Sequence, residues 1–149
     1  MVVEHWTTTE DTQRLLRAFN EGGSAVLFRE IRKMRAGQVS GIFGFVPDKP
    51  LHDTVNVLNL AFSKQTENGR LIRLVIERPL LPLYLDENQP LPPPQDYEFG
   101  LIELVLDENG EGQGTHFPAV RVGISKAGDI EFTPLGREPE KLYWAAKVD

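Results

Sequence analysis

The chain has 149 residues, of which 40% are hydrophobic and 26% charged, with no cysteine and a formal net charge of −6. This composition is typical of a globular protein, and the length suits one domain, residues 1–149, with its own core. The lack of cysteine excludes disulfides, thiolate metal sites and a cysteine nucleophile, and it fits a cytoplasmic location. No apolar run reaches membrane length, so we expect no membrane partner.

The negative charge is concentrated in one part of the chain. Residues 86–114 contain eight acidic residues and neither lysine nor arginine. Because contacts with phosphates need a cationic surface, this acidic segment argues against a nucleic-acid partner. The simplest interpretation is a solvated acidic face.

A helix is predicted close to the N-terminus. A threonine cap followed by an acidic or hydroxyl residue indicates its start, with Thr8 and Asp11 as the capping pair in one register and Thr9 and Thr12 in the other. Leucine and phenylalanine side chains then recur at helical spacing. The glycine pair at 22–23 is expected to end this helix.

A second helix is predicted over residues 24–36. As a strand, this stretch would mix apolar and charged residues on both faces. As a helix, it places Leu27, Ile31 and Met34 on one side, and Gly37 supplies a C-terminal stop. The helical interpretation is therefore favoured.

The clearest structural signal is a β-hairpin over residues 54–78. Apolar residues alternate on both arms, as in half-buried strands. A two-residue turn at Asn68-Gly69 would put the apolar sets of the two arms on opposite faces, whereas a three-residue loop that pairs Thr66 with Arg70 puts them on one face. We predict the three-residue loop, with Gly69 at positive φ. The shared face should meet the helices and consists of Leu58, Leu60, Phe62, Ile72, Leu74 and Ile76.

The remaining elements complete an α+β fold. Val55 and Val57 break the alternation of the first hairpin arm, which indicates either a bulge near residue 57 or partial cover of the second face of the hairpin. The stretch 79–97 contains six prolines and is predicted as an extended, proline-rich crossover. Further strands are predicted at residues 39–46, 98–106, 119–125 and 130–132. The predicted fold has two N-terminal helices packed on a mainly antiparallel sheet of about six strands.

An acidic loop is the one candidate metal site in the sequence. Asp107, Asn109, Glu111 and Gln113 carry oxygen ligands at alternate positions, an arrangement that suits a hard cation such as calcium. Pro118 stands where a calcium-binding loop would have its bidentate glutamate, and strands rather than helices flank the loop. A flexible hairpin loop is the competing interpretation.

Catalytic signatures are weak. No serine lies in a nucleophile elbow, and the three histidines are too far apart for a zinc motif. Glu77, Glu103 and Glu131 lie on predicted strands and would line a cavity if the sheet curved, with His116 as a further acid–base candidate. The candidate residues for a ligand pocket are Phe43, Phe45, Phe62, Leu74, Glu77, Glu103 and His116.

Three function classes therefore remain open. The first is a non-enzymatic interaction or regulatory module with an acidic face. The second is a small-ligand carrier with its pocket between a curved sheet and the helices. The third is a hydrolase or isomerase that uses strand carboxylates or His116. No cofactor is predicted, and the partner is a protein or a small molecule. A homodimer is one candidate because Leu71 and Val75 would lie on an exposed hairpin face.

Overall fold

The computed structural model describes residues 1–41, 54–67, 69–77, 99–135 and 138–146. These residues form one α-helix and eight β-strands. The helix is α1 (Thr9–Lys33), and the strands are β1 (Val2–Val3), β2 (Gly37–Gly41), β3 (Thr54–Thr66), β4 (Gly69–Ile76), β5 (Phe99–Leu106), β6 (Glu111–Ile124), β7 (Ile130–Pro134) and β8 (Glu140–Ala146). No described helix combines the length and the apolar character needed to cross a membrane.

The predicted fold class is wrong in its elements. One helix stands where two are predicted, and the described sheet has eight strands rather than about six. The predicted break at the glycine pair is present, because Gly22 and Gly23 leave helical geometry with φ of −153° and 66°, but it is a kink within α1, which continues to Lys33. The additional strands include the two-residue β1 and the C-terminal β8, which sequence patterning did not specify. The mainly antiparallel sheet and the helical character of residues 24–33 are confirmed.

The strands follow one another through the sheet almost in chain order. From β1 to β7 every neighbouring pair is antiparallel, and β8 also pairs with β6. The first half of β6 pairs with β8 and its second half with β7. Strands β7 and β8 therefore lie one after the other along the same side of β6.

A capping box begins α1. The Oγ1 atom of Thr8 accepts a hydrogen bond from the backbone N–H of Asp11 at 3.1 Å, and the backbone N–H of Thr8 donates to the Asp11 carboxylate at 3.0 Å. The second of these bonds favours the charged carboxylate and holds the pKa of Asp11 below its ordinary value. Of the two predicted capping registers, the one with Thr8 and Asp11 is confirmed.

Asp11→Asn is expected to lower the free energy of unfolding by about 0.5–1 kcal/mol near neutral pH. Because the folded-state pKa of Asp11 lies below the unfolded-state value, its contribution is complete above the unfolded-state pKa and is lost as the pH falls through the folded-state pKa. The difference between wild type and variant in urea unfolding should therefore shrink toward acid pH. Glu10→Gln, in the same turn, is the control for general helix-dipole effects. A pH-independent difference for Asp11→Asn would contradict the assignment.

The kink at Gly22 and Gly23 lets the second half of α1 return toward the strand beside which the helix begins. A straight helix of 25 residues would span about 37 Å, yet both ends of α1 lie beside β3. Before its start, the backbone N–H of Thr7 donates to the carbonyl of Ala61 at 2.7 Å. At its end, Asn59 Nδ2 donates to the carbonyls of Ile31 and Met34, at 3.3 Å each. The two halves of the helix are therefore packed against the same part of the sheet.

The β3–β4 hairpin differs from the predicted loop by one residue. Thr66 pairs with Gly69 and not with Arg70, so the connection contains two residues. Phe62 consequently lies opposite Arg73, and the predicted common apolar face is divided between the two sides of the sheet. The predicted positive φ of Gly69 is confirmed, at 126°.

A bulge in β3 further separates the residues of the predicted common apolar face. Leu58 pairs with Ile76 and Leu60 with Val75, so Asn59 is the extra residue on β3. The predicted bulge is therefore present, two residues beyond position 57. Leu60 and Val75 belong to the core cluster that contains α1, so the prediction that Val75 is exposed is wrong.

Apolar clusters lie on both faces of the sheet. The helix face packs against α1, and its buried cluster comprises Leu15, Leu27, Ile31, Met34, Leu60, Val75, Phe99, Leu101, Val120 and Val122. The opposite side is called the far face. Its buried cluster comprises Ala36, Val39, Leu58, Ala61, Ile72, Leu74, Ile76, Ile102, Leu104 and Leu106.

The sheet curls strongly around its helix face. Phe62 on β3 and Phe132 on β7 are four strands apart in the sheet order, about 19 Å in a flat sheet, but their ring centroids are 6.3 Å apart. A bulge in β6 contributes to this curvature: β5 advances two residues from Phe99 to Leu101 while its partner β6 advances three, across Pro118. The curl brings β7 over β3 and β4.

Candidate functional site

A cleft of about 300 Å³ opens on the helix face where β7 approaches β3 and β4. The start of α1 closes one side of it. Apolar side chains, two cations, one acid and several hydroxyl groups share its wall. The lining residues are Thr7, Thr12, Phe62, Ser63, Lys64, Leu71, Arg73, Asp129, Ile130 and Phe132. We call this space the β3–β7 cleft.

Arg73 is held from two sides within the cleft. Its Nε donates to Glu103 Oε2 at 2.6 Å, and its guanidinium carbon lies 6.0 Å from the centroid of the Phe132 ring. The Arg73 and Glu103 side chains are 42% and 25% exposed, so solvent screens the ion pair and its contribution to stability is about 1 kcal/mol or less. The main consequence is geometric, because the orientation of the guanidinium is fixed through Nε and no hydrogen bond among the described residues uses its Nη groups.

Asp129 stands on the other wall, at the turn between β6 and β7. The Oγ of Ser125 accepts hydrogen bonds from the backbone N–H groups of Ala127 and Asp129, and the Ser125 N–H donates to the Asp129 carbonyl at 2.8 Å. These bonds fix the backbone of the turn. Asp129 itself is exposed and lines the cleft from this turn, whereas Lys64 and Arg73 line it from β3 and β4.

Two further grooves adjoin the cleft and share lining residues with it. One, of about 270 Å³, is lined by Arg73, Glu103, Ile130 and Phe132 among others. Another, of about 650 Å³, runs past Leu71 and Val105. Val105 is 51% exposed and pairs across the strands with Leu71. The apolar lining of the cleft thus extends onto an open sheet surface.

The structure brings together only part of the predicted ligand pocket. Phe62 lines the cleft, and Glu103 adjoins it through Arg73. Leu74 does not contribute, because it belongs to the far-face cluster. His116 also lies on the far face, as the strand partner of Ile102, and is 4% exposed. Placing Leu74 with Phe62 is wrong because the hairpin register differs by one residue.

The other predicted pocket residues lie elsewhere. The carboxylate of Glu77 lies 3.4 Å from Nε of Arg32, at the C-terminal end of α1. Glu131 is exposed on β7 and lines the adjoining groove. Phe43 and Phe45 are outside the described residues, and the predicted proline-rich crossover over residues 79–97 is outside them as well.

The acidic loop forms a tight connection between β5 and β6. The Asp107 carboxylate accepts the backbone N–H groups of Asn109 at 2.8 Å and of Glu111 at 3.0 Å. Glu111 and Gln113 are exposed and belong to β6. Among the described residues, no group of three or more histidine, cysteine, aspartate or glutamate side chains could hold a metal ion. The calcium site remains a prediction from the sequence.

Several cleft residues were not among the sequence candidates. Lys64, Arg73, Ile130 and Phe132 line the cleft because β7 folds over β3 and β4. Alternation along each strand indicates which side chains share a face, but not which distant strands meet. The only local signal for the curl is Pro118, which falls within the β6 bulge.

The chain shows no significant match to any protein family, to any curated protein or to any solved structure.

Proposed function

We propose that this protein is a small-molecule-binding protein and that the β3–β7 cleft is its binding site. The observation that carries the proposal is the 6.3 Å approach of Phe62 and Phe132, which turns an open sheet face into a cleft. Small-molecule sites combine apolar and aromatic walls with a few placed polar groups, in volumes from about 300 Å³ upward. The lining of the β3–β7 cleft meets that description.

The arrangement of charged groups favours binding over catalysis. Glu103, the strand carboxylate nearest the cleft, is engaged by Arg73 at 2.6 Å. The acid–base candidate His116 points to the opposite side of the sheet, because its strand neighbour Thr115 pairs with Glu103. A general base must reach the proton that it removes, and these two groups cannot act on one ligand from opposite faces.

Binding can be tested by nuclear magnetic resonance with ¹⁵N-labelled protein and a library of small aromatic and aliphatic acids, amines and amino acids. We expect saturable shifts of amide signals on β3, β4 and β7. Phe132→Ala should weaken binding at least about tenfold, since it removes the apolar area that this partly buried ring offers to a ligand. Thr133→Ala, an exposed neighbour, is the matched control. Saturable shifts confined to other surfaces, or none with any compound, would contradict the proposal.

Protein contact is a second candidate function, favoured by the exposed Val105 beside Leu71. We propose that a second copy of the chain covers this pair. Sedimentation over a range of concentrations should then show a dimer for the wild type and a monomer for Val105→Lys, because a buried lysine without a partner is unfavourable. A wild type that remains monomeric at all concentrations would contradict self-association.

A further inference from the structure

We infer that the β3–β7 cleft, if it binds small molecules as proposed, takes a zwitterion: a free α-amino acid with an apolar side chain. Lys64 and Arg73 line it from β3 and β4, Asp129 lines it from the turn before β7, and apolar side chains are also part of its lining. This arrangement matches a ligand that carries a carboxylate and an ammonium group at one end and hydrocarbon at the other.

The strand wall supplies the site for the carboxylate. Phe62 pairs with Arg73 and Lys64 pairs with Leu71, so the two cations are diagonal neighbours on the helix face. The guanidinium of Arg73 is fixed by Glu103 through Nε alone among its described hydrogen bonds. A pre-oriented guanidinium next to an exposed ammonium is well suited to a carboxylate, which accepts two donors at once.

The turn wall supplies the site for the ammonium group. Asp129 is exposed there, and its backbone is held by the hydrogen bonds to Ser125. Thr12 also lines the cleft, and its hydroxyl, which donates to the Thr8 carbonyl, keeps its oxygen as a further acceptor. An ammonium group carries three donors and can use a carboxylate and a hydroxyl together.

The remaining lining residues determine the size of the ligand and the kind of side chain that it can carry. Phe62, Leu71, Ile130 and Phe132 form the apolar part of the wall. A volume of about 300 Å³ is at the lower end of the range for small-molecule pockets. It suits a single amino acid better than a nucleotide cofactor or a lipid chain. A ligand with charge of one sign only would leave one of the two charged walls unmatched.

Three matched probes test the inference by calorimetry: phenylalanine, which is zwitterionic, 3-phenylpropanoate, which lacks the ammonium, and 2-phenylethylamine, which lacks the carboxylate. We expect phenylalanine to bind at least about tenfold more tightly than either of the others. Equal affinity for phenylalanine and 3-phenylpropanoate would overturn the zwitterion and leave the proposed function intact. If none of the three and no compound of the fragment library binds at the cleft, the proposed function itself fails.

Asp129→Asn provides a second, independent readout. It should weaken phenylalanine binding about tenfold and leave 3-phenylpropanoate unchanged, because only the ammonium contact is lost. Glu131→Gln removes the same charge two residues away, outside this cleft, and should change neither affinity. If Asp129→Asn and Glu131→Gln have the same effect on phenylalanine, Asp129 does not recognise the ammonium group and the inference is overturned.

Discussion

Asn59→Asp is expected to lower the free energy of unfolding by about 3–5 kcal/mol near neutral pH. Asn59 is fully buried, and its Nδ2 donates to the carbonyls of Ile31 and Met34 at the end of α1. An aspartate has nearly the same shape, so no cavity forms. Its carboxylate, however, has no proton to donate and would face two carbonyl oxygens as an uncompensated buried charge.

The pH dependence of this variant identifies the charge as the cause. Burial among carbonyl oxygens would raise the folded-state pKa of an aspartate at position 59 above its unfolded-state value. The electrostatic loss should be complete above the folded-state pKa and should shrink as the pH falls toward the unfolded-state pKa, near about 4. Guanidinium chloride unfolding at neutral pH measures the full loss of stability, and unfolding at acid pH measures the reduced loss.

Asn56→Asp is the matched control for the same chemical change. Asn56 precedes the bulge on β3 and is partly exposed, so a charge there stays solvated. We expect a loss of about 1 kcal/mol or less. Equal losses at positions 56 and 59 would show that the bond between the β3 bulge and the helix end is unimportant for stability.

Local signals explain what could be predicted of the fold. The capping box of Thr8 and Asp11 involves residues three apart, and the strands alternate with period two, so both can be read from short windows. The break in alternation at Val55 and Val57 indicates a bulge in β3, but it does not place the bulge at Asn59. Its side chain bonds carbonyls 25 and 28 residues earlier in the chain, and no window around residue 59 contains that information.

The hairpin register shows how one residue changes a predicted site. Pairing Thr66 with Gly69 instead of Arg70 reverses the face of every side chain on one arm relative to the other. Leu74 was therefore nominated with Phe62, although they lie on opposite faces. Burial alone could not have decided the matter, because both faces of this sheet carry an apolar cluster.

The candidate site depends on curvature, which is a property of the whole sheet. Phe62 and Glu103 could be nominated from strand alternation. Phe132 could not, because its contact with Phe62 spans four strands and follows from the twist and the β6 bulge. The place of Arg73 in the cleft also depends on Phe132, whose ring lies 6.0 Å from the guanidinium carbon. The candidate site is thus the part of the described structure that depends least on local sequence.

Phe99→Ala is expected to lower the free energy of unfolding by about 3–5 kcal/mol. Phe99 is fully buried on the helix face, and its ring packs edge-to-face on Phe28 of α1 with centroids 5.7 Å apart. Truncation removes that aromatic contact and leaves a cavity between α1 and the sheet. Denaturant unfolding measures the loss, and hydrogen exchange should show faster opening of the second half of α1.

Val105→Ala on the same strand is the control that distinguishes the loss of the contact with α1 from the loss of strand propensity. Both substitutions replace a good strand former with alanine, but Val105 is 51% exposed and is not a member of the core cluster that contains α1. We expect a loss of about 1 kcal/mol or less for it, with unchanged exchange in α1. A comparable loss at both positions would mean that β5 is stabilised mainly by its own pairing. A large loss at Phe99 alone, with faster exchange in α1, would identify the ring as the anchor that holds the doubled-back helix in the curled sheet.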